Sequence, residues 1–185
     1  MDAALDLVAD GGWDRVTVRA VCTAARLNDR YFYESFTDRD ALLLATRDHV
    51  ATGALRALRE AIEQTGTDKR IRVVVEGVID YFTADPRRGA LMFAPHPALA
   101  SRRTEMLRTL SRIVADQSTE ILGDRAAGAA DRELGALTLV SGTMEVFACW
   151  LRGEVDVTRA HLADFLVAMI TTTGDLSAAL ERERG

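Results

Sequence analysis

Cysteine is scarce in this 185-residue chain, with only Cys22 and Cys149, far apart and neither with a second ligand at metal spacing. That excludes a disulfide framework and a zinc site, and it fits a reducing compartment. Proline is confined to Pro86, Pro95 and Pro97 and aromatics are 6% of residues. Most of the chain is therefore free to run as helices built on its abundant Ala, Leu and Arg, and an all-α fold is expected. Excess positive charge is also lacking: the formal net charge is −5, so any nucleic-acid function must come from local patterning. No uninterrupted apolar run reaches about 18 residues, and Asp2, Asp6 and Asp10 stand where a signal peptide would carry positive charge. A cytoplasmic protein with no membrane partner is expected. The length suffices for one sizeable core, or for a small module joined to a larger one.

What is present is a succession of helical patterns. In DAALDLVA, residues 2–9, Ala4, Leu5 and Val8 recur at helical spacing, and Asp10-Gly11-Gly12 ends the pattern. Thr17 is placed to cap a second, two-turn helix, VRAVCTAA, whose Val18, Val21, Cys22 and Ala25 form one stripe. Asn28 is placed to cap a third, running to about Ser35 with Phe32 and Phe36 four apart. Thr37-Asp38-Arg39-Asp40 has the pattern of a capping box opening a long helix to Gln64. Gly66-Thr67-Asp68 interrupts it. KRIRVVVEGVIDYFTA then puts Ile71, Val74, Val75, Val78, Ile79 and Phe82 on one side; its β-branched content suits a strand, but its length and spacing favour a helix. The three prolines bracket a short segment, RRGALMFA, before a helix from about Ala98 to Leu122. GDRAAGAAD reads as a small-residue loop. Two apolar helices, about Arg132–Leu151 and Thr158–Thr173, are joined by the turn RGEVDV.

Two short helices over residues 18–36, joined by a turn of three or four residues, have the layout of a helix-turn-helix, in which the second helix enters the major groove. On a helical wheel Phe32 and Phe36 share one side, while Arg30 and Glu34 lie opposite with Tyr31 and Tyr33 on the flanks. A reading helix needs that combination of apolar anchor and outward polar ridge. Packing of Tyr31 and Tyr33 against neighbouring helices is the plain alternative for those two.

DAALDLVADGGWDRVTVRAVCTAARLNDRYFYESFTDRDALLLA resembles the N-terminal module of the TetR family of bacterial transcription regulators: a first helix, Gly plus an aromatic, Thr-x-Arg, and a recognition helix ending in Tyr-x-x-Phe. CWLRGEVDVTRAHLADFLVAMI resembles the last two large helices of many members. The resemblance implies a DNA-binding domain over residues 1–50, a connecting helix over about 38–64, and a ligand-binding and dimerisation domain over 51–185. It implies that Thr17, Val18 and Arg19 start the supporting helix near phosphates. Asp29, Arg30, Tyr31 and Glu34 then occupy positions facing the groove, and Tyr33 and Arg39 match backbone-phosphate contacts, with Ser35 joining them. Arg30 has the chemistry for a bidentate contact to guanine, worth roughly 1 to 3 kcal/mol of discrimination. Glu34 either accepts from cytosine or repels phosphate.

Two departures from the family pattern stand out. Arg26 holds the turn position where the family usually has Gly, and where a left-handed backbone is wanted. Six arginines against nine carboxylates leave residues 1–50 at −3, a poor balance for displacing counterions. Many members carry a basic arm before the first helix, and here the first helix begins almost at Met1, which leaves open native residues upstream.

In the second half, Phe82, Met92, Phe93, Met106, Leu107, Leu110, Met144, Phe147 and Trp150 suit either an adaptable apolar cavity or an ordinary helical core. The family resemblance implies the cavity, and with it a small-molecule effector. The helix pair 132–151 and 158–173 is apolar on more than one stripe, with Ser141 and Gly142 permitting close approach. A helix apolar on several sides must be buried on several sides, which points to a homodimeric four-helix bundle. His49, His96 and His161 form no metal cluster, no cofactor is indicated, and no nucleophile–base constellation suggests an enzyme. The expected function is a ligand-responsive repressor on double-stranded operator DNA, near-palindromic as a two-fold dimer requires; the alternative is a dimeric small-molecule-binding or protein-interaction module with degraded DNA binding.

Overall fold

A computed structural model of the chain describes residues 1–63, 70–93, 96–122 and 128–173. Among these residues the regular structure is all helical. The elements are α1 (Asp2–Gly11), α2 (Val18–Ala25), α3 (Asp29–Ser35), α4 (Arg39–Glu63), α5 (Arg70–Thr83), α6 (Pro86–Met92), α7 (Pro97–Leu122), α8 (Ala129–Leu151) and α9 (Arg159–Thr173). A single 3₁₀ turn over Trp13–Arg15 separates α1 from α2.

The chain divides into two compact units, one of residues 1–66 and 76–100, the other of residues 67–75 and 101–185. In the first unit α1 buries Ala4, Leu5 and Val8, α2 buries Val21 and Cys22, and α3 buries Phe32. Leu42, Leu43, Thr46 and Val50 of α4 and Ile79, Phe82 and Leu91 further on complete this core. Thr46 enters it without penalty because its hydroxyl donates to the Leu42 carbonyl at 2.7 Å. Trp13 is buried and meets the His96 ring edge-on at 5.5 Å, a packing role for that histidine. In the second unit Ala136, Leu139, Val140, Phe147 and Ala148 of α8 are buried, as are Leu162, Ala163 and Leu166 of α9. Arg72 pairs with Asp164 at 2.9 Å, and Arg103 with Glu145 at 2.7 Å.

Most termini follow the sequence pattern. Gly12 closes α1 with a φ of 75°, a backbone only glycine adopts without strain. The stretch 70–83 is a helix despite its β-branched residues, and Val75, Ile79 and Phe82 are its buried face. Three expectations are corrected. The cap of α4 is Asp38 rather than Thr37: Asp38 Oδ1 accepts from the Ala41 N–H at 2.8 Å. With the cap at 38 the third helical position is Ala41, which has no side-chain acceptor, so no capping box closes. The segment after Pro86 is a helix in its own right, because Asp85 accepts from the Arg87 N–H at 3.1 Å and Pro86 sits in the first turn, where a missing N–H costs nothing. Finally, α8 begins three residues before Arg132 and is long and apolar enough, by length and composition alone, to cross a membrane. Thr138, Ser141, Thr143 and Glu145 punctuate it, so the absence of an uninterrupted apolar run understated its hydrophobicity. The expected interruption at 66–68, Gln64, and residues 123–127 of the GDRAAGAAD loop lie outside the described residues.

Candidate nucleic-acid interface

The site is built from two capped helices and one unusual turn. Thr17 Oγ1 accepts from the Ala20 N–H at 3.1 Å, fixing the start of α2. That helix ends at Arg26, whose φ of 55° and ψ of 41° put it in the left-handed region. The Arg26 N–H donates to the Thr23 carbonyl at 3.2 Å, and the Leu27 N–H to the Cys22 carbonyl at 2.9 Å, so the turn keeps the geometry that glycine usually serves. A side chain there costs on the order of 1 kcal/mol. Asn28 Oδ1 then accepts from the Tyr31 N–H at 3.2 Å and starts α3.

Within α3, Phe32 is 4% exposed, and its ring lies 5.7 Å from Phe36 and 5.3 Å, edge-on, from Tyr33. This anchor turns the opposite face outward. The Arg30 side chain is 84% exposed, and its Nε donates to Glu34 Oε1 at 3.0 Å. The ridge is thus an ion pair one helical turn long. Tyr31 and Tyr33 are both more than half exposed, and Asp29 and Ser35 are exposed as well. Along the supporting helix Thr17 and Arg19 are exposed and Val18 half-buried. Arg39, exposed at the start of α4, lies 3.8 Å from Asp40. Every residue expected to meet DNA therefore reaches solvent except Val18, which is divided between the two environments.

The residues expected to line a ligand cavity fall in both units. In the first, Phe82 and Met92 are buried and the Phe82 and Phe93 rings are 5.8 Å apart. In the second, Phe147 stacks on Trp150 at 6.1 Å, and the indole N–H donates to the Val157 carbonyl at 2.8 Å. Met106, Leu110 and Met144 are half-buried. A different concavity was not anticipated residue by residue: a groove of about 480 Å³ along α8 and α9, lined by Leu134, Thr138, Gly142, Val146, Phe165 and Met169 among others. Leu134 is 63% and Phe165 47% exposed, so this is an open apolar face. Its signal in the sequence was the second apolar stripe on each helix. Among the described residues, no group of three or more His, Cys, Asp or Glu is placed to hold a metal ion.

Residues 1–46 match the family model of bacterial regulatory proteins of the tetR family. A TetR-like transcriptional regulator from Rhodococcus sp. RHA1 is similar in structure, with a TM-score of 0.71 at 20% identity over 91% of this chain and 90% of that one. The fatty acid degradation regulator FadR from Bacillus halodurans is also similar, with a TM-score of 0.69 at 16% identity over 95% of this chain and 90% of that one. At such identities the likeness establishes the fold. No curated protein matches the sequence significantly.

Proposed function

We propose that this chain, whose residues 1–46 match the tetR family model, is a DNA-binding transcription regulator of that family, a homodimeric repressor whose hold on a near-palindromic operator is loosened by a small molecule. The observation that carries this reading is the recognition helix itself: Phe32 buried as anchor, Arg30 projecting on the opposite face. In this reading residues 1–50 contact DNA and 51–185 bind the effector and the second subunit. Arg30, Tyr31, Asp29 and Glu34 face base edges, while Thr17, Val18, Arg19, Tyr33, Ser35 and Arg39 set register on the phosphates. The protein works where its DNA is, in the cytoplasm.

The open groove on α8 and α9 supports the dimer. An apolar face with Leu134, Phe165 and Met169 exposed is stabilised when covered, and the same helices of a second copy offer a matching apolar face about a two-fold axis. Such a dimer presents two recognition helices, which must sit about 34 to 36 Å apart to enter successive major grooves. Effector bound by residues 51–185 would favour a conformer with another separation of the recognition helices, with α4 carrying the change. DNA affinity then falls only by as much as effector binding differs between the two states.

The rival reading is a dimeric ligand-binding or protein-interaction module that has lost DNA binding, and the charge of −3 over residues 1–50 favours it. A mobility-shift titration of the full chain on its own upstream region separates the two. A discrete shifted complex at low salt, competed poorly by unrelated duplex, is expected. Equal competition by any duplex, or no complex, contradicts the repressor.

A further inference from the structure

Arg30 and Glu34 are one turn apart on the outermost ridge of α3, and they are joined rather than independent: Glu34 Oε1 accepts from Arg30 Nε at 3.0 Å. A guanidinium has five N–H donors in a planar fork. Engaging Nε along the helix turns the side-on edge of the guanidinium toward Glu34 and leaves the end-on edge, between the two terminal nitrogens, facing away from it. Those terminal nitrogens suit the O6 and N7 acceptors of a guanine, approached end-on. A free arginine this exposed samples many rotamers and finds phosphate as easily as a base edge. Paired at Nε, its fork is biased toward one direction.

We propose that Glu34 is a positioning residue for Arg30, converting a mobile cation into a guanine reader, and is not itself the reader of a cytosine. The inference rests on the DNA-binding reading above. It also assigns a use to an acidic group on a face that must approach phosphate: Glu34 lowers indiscriminate affinity while sharpening the choice of base. Removing it relaxes specificity and strengthens binding to unrelated DNA, whereas loss of a direct cytosine contact would weaken the specific complex alone.

The test enriches a random-sequence duplex pool on the wild-type protein, then measures affinities for the enriched duplex, its single base-pair variants and unrelated DNA. Wild type, Arg30→Ala, Glu34→Ala and Glu34→Gln are compared, with circular dichroism showing equal helix content. Wild type is expected to prefer guanine at one position of each half-site by roughly tenfold. Arg30→Ala and Glu34→Ala should both lose that preference at the same base pair. Glu34→Ala should bind unrelated DNA more tightly, and Glu34→Gln, which still offers Nε an acceptor, should retain part of the preference. Loss at different base pairs for Arg30→Ala and Glu34→Ala, or an unchanged preference in Glu34→Ala, overturns the proposal. Full preference in Arg30→Ala overturns it too while DNA recognition stands, and failure of wild type to enrich any sequence defeats the DNA reading with it.

Discussion

Arg87 on α6 donates to Asp6 on α1 at 2.6 Å, tying together two helices from opposite ends of the first unit's sequence. A second amino group of the same guanidinium holds Asp85 at 2.8 Å, the residue that also caps α6. The Arg87 hydrogen bond pulls the Asp85 carboxyl below its ordinary value, against the opposing effect of burial. A carboxylate depressed in the folded state contributes stability above its unfolded pKa, and that contribution is lost as pH falls through the folded value. Asp85→Asn keeps a capping side chain and removes the charge. Its urea midpoint should lie below wild type at neutral pH, and the two should converge as pH falls below the ordinary carboxylate range. A gap that persists unchanged in acid would contradict the coupling.

Arg26 offers a gain. Its φ of 55° is the left-handed region, where glycine carries no steric penalty. Arg26→Gly should stabilise the protein by about 1 kcal/mol in chemical denaturation. An unchanged or lower midpoint would mean that the Arg26 side chain makes up the strain.

Gly53 faces the opposite way. The Tyr81 hydroxyl donates to the Val50 carbonyl at 2.9 Å, and a methyl group at position 53 would overlap that hydroxyl. The ring has little room to retreat, with Phe82 edge-on at 5.3 Å and the Arg88 guanidinium 4.2 Å from its centre. Gly53→Ala should therefore destabilise by about 1 to 3 kcal/mol despite its better helix propensity. The same change in a Tyr81→Phe background should cost much less. Equal costs in both backgrounds would exclude the clash as the cause.

Much of this was legible in the sequence because helix termini are written in short-range chemistry. Thr17 and Asn28 cap where their side chains and the apolar spacing placed them, and Gly12 ends α1 for the reason its composition suggested. One error was a choice between adjacent residues able to do the same job. Thr37 and Asp38 both have capping side chains, and in the structure it is Asp38 that accepts from the Ala41 N–H. The three prolines marked only the limits of a short segment, because proline ends helices as well as starting them, yet in a first turn it is favourable. The Arg30–Glu34 pair was visible as an i,i+4 spacing, and reading both residues as separate base contacts obscured it. The groove on α8 and α9 was foreshadowed only as apolar stripes, since exposure is a property of the packed helices and not of either one alone.

That groove leads to a prediction about assembly. Phe165→Glu places a charge in the centre of an apolar face, which costs little in a lone subunit and much where the face is covered. Sedimentation equilibrium should show wild type as a dimer and Phe165→Glu shifted toward monomer, with helix content retained. A wild-type monomer at all concentrations would remove the dimer and the half-site spacing that follows from it.

Residues 17–39 are proposed to grip duplex DNA through a few cations on an otherwise acidic chain. Fluorescence anisotropy with the enriched duplex, across a salt series, measures it directly. With Arg19 and Arg39 at the phosphates of each half-site, affinity should fall roughly a hundredfold between about 50 and 200 mM salt. Arg39→Ala should reduce the slope of log K against log salt by about two per dimer while weakening matched and mismatched sites alike. An affinity flat in salt, or an Arg39→Ala slope equal to wild type, would contradict the account.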